Sequence, residues 1–373
     1  MTEIRGAVVV MAAAAVLAVG AAAPAVAGGG IWTVIPSPDV GTDINELQGV
    51  SARSGSDAWT VGFMRTGGVY RTLTQRWNGS AWSIVASPND GTNPSFLFGV
   101  TALSSGDTWA VGSGSSGLIE HWNGSSWSIV PSPAPAGTVA TFHDVAAVSA
   151  DDVWAVGSSV GDTFVTKTLI EHWDGSTWSI VPGPSPDANR DVLLGVAALS
   201  PTNVWAVGSS GQEAVTLIEH WNGSSWSVVT SPSPGSGDNG FAGVAAVSAR
   251  NLWAVGFQAE GTRTLVEHWH RGRWRIVASP NPDSPNANDG FTDVSAIDRH
   301  DVWAVGSSST GKTLTERWDG SAWTVVPSPD PSDVRNSLSG VEAIVGGIVW
   351  AVGGQAPTGG GQDRTLVIQT TQG

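Results

Sequence analysis

The twenty tryptophans of this 373-residue chain recur on a fixed ruler. The Trp of a V-W-A-V-G-like segment stands at Trp59, Trp109, Trp154, Trp205, Trp253, Trp303 and Trp350, at spacings of 50, 45, 51, 48, 50 and 47 residues. A period of that length, with several short strands inside it, belongs to propellers and solenoid arrays and excludes a domain with one ordinary core. Six repeats carry a further pair five positions apart: Trp77 and Trp82, Trp122 and Trp127, Trp173 and Trp178, Trp221 and Trp226, Trp269 and Trp274, Trp318 and Trp323. Trp32 completes the set. Every Trp falls on a repeat position, so Trp is used here to build.

One repeat reads as four strands. G-V-A-A-L-S around 194–200 is rich in small and β-branched residues, N-V-W-A-V-G follows it, T-L-I-E-H-W comes after a variable loop, and S-W-S-V-V ends at a Ser-Pro-rich segment. Asn222-Gly223 joins the last two strands, and Asn-Gly is a strong hairpin signal because the turn needs positive φ. Both Trp residues of a pair then share one face and pack on the neighbouring repeat. Four-stranded meanders repeated around an axis are propeller blades.

The chain opens with Arg5 and an apolar run ending at Ala25-Val26-Ala27. That pattern predicts a secretory signal peptide over 1–27, too short for a comfortable membrane span, and no second long apolar run follows. The remaining 31–373 hold 343 residues, or seven repeats of 49. The last repeat lacks its W-N-G-S-x-W segment, whereas Ile31-Trp32-Thr33-Val34-Ile35-Pro36-Ser37-Pro38 matches a fourth strand. We therefore expect an all-β, seven-bladed β-propeller of four-stranded blades over 28–373. Residues 31–39 should close the C-terminal blade, with blades at about 47–90, 97–135, 142–187, 194–234, 241–283, 291–332 and 338–373. Such closure removes the exposed edges that an open array would present.

V-W-A-V-G followed by T-L-I-E-H-W-N-G-S-S-W-S-V-V resembles the kelch-type repeat, over nearly all of 31–373. Two departures stand out: the second glycine of the kelch pair is usually Ser or Phe here, and Trp replaces the third-strand Tyr. The resemblance implies a propeller. It leaves function open among protein-binding modules, sugar-binding proteins and a minority of enzymes, and the sialidase-type S-x-D-x-G-x-x-W box is absent.

The formal net charge of −15 argues against nucleic acid as partner, because an acidic surface repels phosphate. With no Cys, disulfides, thiol catalysis and Cys-based metal sites are excluded. No metal or cofactor is expected. The composition suits a secreted monomer, extracellular or attached to a cell surface, that meets a glycan or a protein.

Features common to all repeats are explained by packing. The third-strand pairs Glu120-His121, Glu171-His172, Glu219-His220 and Glu267-His268 are accordingly read as cross-blade hydrogen bonding. The acid or amide two residues before the blade Trp (Asp57, Asp107, Asp152, Asn203, Asn251, Asp301) reads as a turn residue.

Function is expected where repeats differ. Loops leading into the first strands carry Asn45, Asn93, Asn239, Asn288 and Asn336, and loops leaving the second strands carry Arg71, Lys167 and Arg263, with Lys312 and Arg364 in the same place. Both sets fall on one rim, where they either bind a ligand or pair with each other. Tyr70, the only Tyr, and Phe164 join them as stacking candidates. On the innermost strands Asp144 and Asp293 replace Gly49, Gly99, Gly195, Gly243 and Gly340, and Glu342 has the same strand parity. With His143 they are the catalytic candidates of the alternative reading, a secreted polysaccharide hydrolase or lyase. The fifth repeat replaces Asn-Gly-Ser with His270-Arg271-Gly272-Arg273; Arg250, Arg275, Arg299 and His300 extend a cationic patch suited to an anionic partner.

Overall fold

The computed structural model describes residues 31–135, 137–235, 237–258, 263–282, 288–357 and 361–371. The expected signal peptide lies outside the described residues. The described residues hold 28 strands and no helix, in a β-propeller of four-stranded antiparallel meanders. In chain order these are unit 1 (45–85), unit 2 (96–129), unit 3 (138–180), unit 4 (191–228), unit 5 (240–276) and unit 6 (289–325). A terminal unit follows at 335–371. Units 2 and 3 share one continuous sheet through a single residue pair, Thr141 with Ser113. The fourth strand of the terminal unit is Ile31–Val34, which pairs antiparallel with Arg364–Thr371. The first strands are the innermost and touch one another in succession, and the strand Asn45–Ser54 meets both Phe96–Ser104 and Arg335–Ile344.

Each first strand carries a bulge at one level: Leu193 pairs with Gly208 and Gly195 with Val207, which leaves Leu194 unpaired. The bulge explains the glycine that ends V-W-A-V-G. A Cβ on Gly208 would lie 1.9 Å from the Val192 carbonyl oxygen, so no side chain fits opposite the bulge.

Tryptophan builds the walls between units. The second-strand Trp of one unit packs on the Trp pair of the next: Trp59 lies 5.0 and 5.1 Å from Trp122 and Trp127, and Trp350 lies 5.2 Å from both Trp77 and Trp82. Centroid distances and tilted or edge-on angles of this kind are the favoured aromatic geometry. The terminal unit has Thr370 where a third-strand Trp is expected, and there Trp303 meets Trp32 alone, at 5.4 Å.

The walls also hold carboxyls. Glu120, Glu171, Glu219, Glu267 and Glu316 are fully buried between units. Ser132, in the segment after unit 2, donates to Glu171 Oε1 of unit 3, and Ser279, in the segment after unit 5, donates to Glu316 Oε2 of unit 6, both at 2.9 Å. Burial pushes Glu120, Glu219, Glu267 and Glu316 up to about 8 and Glu171 up to about 7. Most of these groups are therefore neutral at pH 7, and the formal −15 overstates the surface charge. Gln75 fills the same place in unit 1 and donates to the Pro38 carbonyl at 2.9 Å.

The acids and amides before the blade Trp do more than turn the chain. They open the second strands and bind the third-strand base: His121 and His172 hydrogen-bond Asp107 and Asp152, and His220 and His268 hydrogen-bond Asn203 and Asn251, all at 2.8 Å. Each of these imidazoles lies over the Trp of its own unit at 4.0–4.3 Å.

Candidate functional site

The bulges decide what lines the central channel. Their unpaired residues are Gln48, Phe98, His143, Leu194, Ala242, Thr292 and Ser339, and together they border a cavity of about 100 Å³. Further along the axis a second cavity of about 350 Å³ is bordered by Asp144, Asp293 and Glu342 with Ser51, Thr101 and Ser295.

Asp144 and Asp293 are both committed to backbone. The Val145 N–H donates to Asp144 Oδ1 and the Val196 N–H of the next unit to Oδ2, each at 2.8 Å. Asp293 repeats the arrangement with Val294 and Val341. Each carboxyl thus stitches one first strand to the next, as Ser51 and Ser295 do by accepting the N–H of Ala102 and Ala343. First strands are close enough for this because glycine stands at this level; a Cβ on Gly99 would lie 2.8 Å from Asp144 Cα.

Burial pushes Asp144 and Asp293 up to about 7 and Glu342 up to about 8, with Asp293 and Asp144 adding repulsion at Glu342. All three keep partial access to the channel, which moderates those shifts. Burial lowers His143 to about 4, so its imidazole is neutral at pH 7. His143 lies against Phe98 at 5.8 Å. Among the described residues no cluster of three or more His, Asp or Glu is placed to hold a metal ion.

On the rim the sequence reading needs correction. Asn45, Asn239 and Asn336 are each 1% exposed and cannot meet a ligand. They lock their own loops: Asn45 Nδ2 donates to Asp43 O and its Oδ1 accepts from Val40 N, Asn239 donates to Gly237 O, and Asn336 donates to Ser332 O and accepts from Ser332 N. Asp191 has the same place in unit 4, fully buried and accepting from Ser185 and Ser210. Asn93 is exposed and donates across to Ser115 at 2.9 Å, and Asn288 is exposed. Among the cations, Arg71 donates to Gly91 O and Lys167 to Asp187 O, while Arg364 pairs with Asp39 at 3.1 Å and Arg263 is exposed. Phe164 is 87% exposed at φ 58 and has no ring contact among the described residues.

Tyr70, by contrast, belongs to a continuous aromatic strip. It lies 5.7 Å from Phe63 and 5.0 Å from Phe96; Phe96 lies 5.1 Å from Phe63 and stacks at 6.2 Å on Phe98, which meets His143. The strip runs from an outer strand of unit 1 across unit 2 to unit 3 at the channel. All five rings are half-buried, and Arg65 sits over Tyr70 at 5.9 Å. Tyr70 was visible in the sequence as an oddity; its partners come from separate strands and units. One signal was there to find. Phe63 stands where four other units have Ser113, Ser158, Ser209 and Ser307, and Phe96 stands where Gly240, Gly290 and Ser337 stand.

The cationic residues His270, Arg271, Arg273, Arg299 and His300 are all exposed, at the opposite end of the units. Arg271 and Gly272 adopt φ of 53 and 76 at the tip of the last hairpin of unit 5.

No known family profile matches the chain, and no curated protein matches it. Solved structures do. YCF48 bound to D1 peptide is 15% identical with a TM-score of 0.57, covering 95% of this chain and 100% of that chain. YCF48 from Cyanidioschyzon merolae is 14% identical with a TM-score of 0.55, over 91% and 98%. A chain from the mitotic checkpoint complex is 12% identical with a TM-score of 0.59, over 98% and 99%. At these identities the likeness concerns the fold.

Proposed function

We propose that the chain is a secreted binding module, a seven-bladed propeller whose aromatic rim takes a segment of an extracellular protein partner. Two observations support the ring. Ile31–Val34 supplies the strand that the terminal unit lacks, and the first strands of unit 1 and the terminal unit touch. Secretion rests on the N-terminal run ending in Ala25-Val26-Ala27. The kelch-like reading rests on the repeat pattern and adds no site.

The strip Tyr70–Phe63–Phe96–Phe98–His143 carries the proposal. Half-exposed rings flanked by Met64 and Arg65 have the composition of an interface hot spot, and four other units carry Ser where Phe63 stands. The rings pack edge-on, tilted and, for Phe96 on Phe98, stacked against one another and are half-buried, which suits the side chains of an extended peptide better than a sugar that needs one open ring face. A propeller of similar fold, YCF48, binds D1 peptide.

The test is a peptide-display selection on residues 28–373 run beside a glycan array. Enriched peptides with apolar side chains that lose binding when Tyr70→Ala is introduced support the reading. Selection of a glycan through the same residues would replace protein with carbohydrate, and binders indifferent to Tyr70→Ala would remove the strip from the account.

A further inference from the structure

The last hairpin of unit 5 departs from its counterparts in three ways. Elsewhere this loop is held by an Asn or Asp side chain: Asn78 Oδ1 accepts from the N–H groups of Ser80 and Ala81, and Asn123, Asp174, Asn222 and Asp319 do likewise. In unit 5 that side chain is missing and the turn tightens to two residues, Arg271 and Gly272, both at positive φ. The left-handed region disfavours a long side chain such as Arg. The strands Arg263–His270 and Arg273–Ile276 gain one extra rung, His270 opposite Arg273, beside His268 opposite Arg275.

Those rungs place four basic side chains on one face. The counterparts of Arg275 are Ser83, Ser128, Ser179, Ser227 and Thr324. Burial lowers His268 to about 4, so it faces Arg275 as a neutral imidazole, and the cations of this face are the guanidinium groups. Among the described residues no carboxylate lies within ion-pair distance of Arg250, Arg271, Arg273, Arg275 or Arg299, whereas Arg53, Arg76, Arg317, Arg335 and Arg364 all have one. His268 itself meets the neutral amide of Asn251.

The third departure is a free donor. In five units the third-strand indole N–H donates to a backbone carbonyl: Trp77 to Gly55, Trp122 to Ser105, Trp173 to Ala150, Trp221 to Pro201 and Trp318 to Arg299, at 2.9–3.2 Å. The Trp269 N–H has no acceptor among the described residues. Trp269 lines a groove of about 570 Å³ between units 4 and 5, with Val229 and Pro232 on the facing side and Arg273 at its lip.

We propose that this groove and hairpin form a second binding site, for an anionic polysaccharide of the carboxylated, uronate type. A sugar ring rests on Trp269 and Pro232, and the Trp269 N–H donates to a ring substituent. Arg273 and Arg271 take carboxylates as the chain passes over the hairpin tip onto the basic face. Guanidinium forks match carboxylates in geometry. An indole floor suits a sugar ring, and a densely charged nucleic acid is disfavoured by the acidic remainder of the molecule. This site is separate from the aromatic rim.

Titrating residues 28–373 with polygalacturonate, with its fully methyl-esterified form as the neutral control, tests the proposal. Binding to the charged polymer is expected to fall about tenfold on raising salt several-fold. A fall of about tenfold or more is also expected for Arg271→Glu with Arg273→Glu. Trp269→Phe, which keeps an aromatic floor but removes the N–H and part of the ring face, should cost about threefold or more. Exchanging 270–273 for the Asn-Gly-Ser-Ser of unit 4 removes the site within a loop the fold already uses, so its melting temperature should hold while binding is lost. The proposal is overturned if polygalacturonate does not bind, or if binding survives the loop exchange. It is equally overturned if polyglutamate binds as tightly and Trp269→Phe has no effect, which would assign the hairpin to an acidic protein.

Discussion

The walls between units and the rim above them are built from the same kinds of side chain and obey opposite rules. In the walls, aromatic rings recur at every junction: Trp59 on Trp122 and Trp127 is repeated by Trp253 on Trp318 and Trp323 and by Trp350 on Trp77 and Trp82. On the rim, five rings, Tyr70, Phe63, Phe96, Phe98 and His143, touch in one half-exposed strip, while Phe164 and Phe257 stand apart from it. What recurs holds neighbouring sheets together; the contiguous strip occurs once and is free to be a site. The hairpin of unit 5 obeys the same rule, since Trp269 keeps the wall position but loses the backbone acceptor its counterparts have.

The contrast breaks most visibly if the wall is opened at its terminal junction. Deleting residues 28–39 removes the strand paired with Arg364–Thr371, the Trp32–Trp303 contact and the Pro38 acceptor of Gln75. Differential scanning calorimetry should record a melting temperature lower by about 10 °C or more; an unchanged melting curve would sink the closed ring. Trp253→Ala comes next, with an expected loss of about 3–5 kcal/mol in denaturant melts and a fall of roughly 4–7 °C, because the residue is fully buried between two units.

The buried carboxyls sharpen the same contrast through pH. Glu120, Glu219, Glu267 and Glu316 are held at about 8 in the folded protein, so the unfolded chain carries fewer protons at these sites across the window from the ordinary carboxylate range up to about 8. Their effect is therefore a stability that is highest below that window and falls as pH rises through it, then levels off. Glu219→Gln, which copies Gln75, should flatten part of that slope and stabilise the protein at pH 8 by roughly 1–3 kcal/mol. A melting temperature that is flat from pH 5 to 8 in the native protein would show these groups to be ionised and otherwise compensated. The smallest effect on stability is expected on the rim itself: Phe63→Ser installs the residue four other units use there and should cost about 1 kcal/mol or less.

Much of this was legible in the primary structure because it follows from periodicity. Twenty Trp residues at repeat positions announced the four-stranded units, and Asn-Gly announced their hairpins, where Asn78, Asn123 and Asn222 fold back on their own loops. The rest depends on register and on contacts between strands far apart in the chain. A bulge before Gly99 turns Phe98 toward the channel, and no propensity in F-L-F-G announces it. Asn45, Asn239 and Asn336 have the composition of ligand-facing amides, yet their side chains close loops and are buried. Asp144 and Asp293 break a glycine pattern in a way that suggested chemistry, and their oxygens are instead taken by the N–H groups of Val196 and Val341 in the adjoining unit.

The most direct measurement is made on one variant with two readouts. Phe63→Ser, Phe96→Ser and Phe98→Ser together give the rim the residues found in other units at the same positions, Ser307, Ser337 and Ser339. The melting temperature should fall by no more than about 5 °C, while affinity for the peptides selected on the native protein should drop about tenfold or more. A cooperative fold lost with the rings would place the strip among the wall residues, and full affinity in a stable variant would contradict the claim that this rim is where the protein binds.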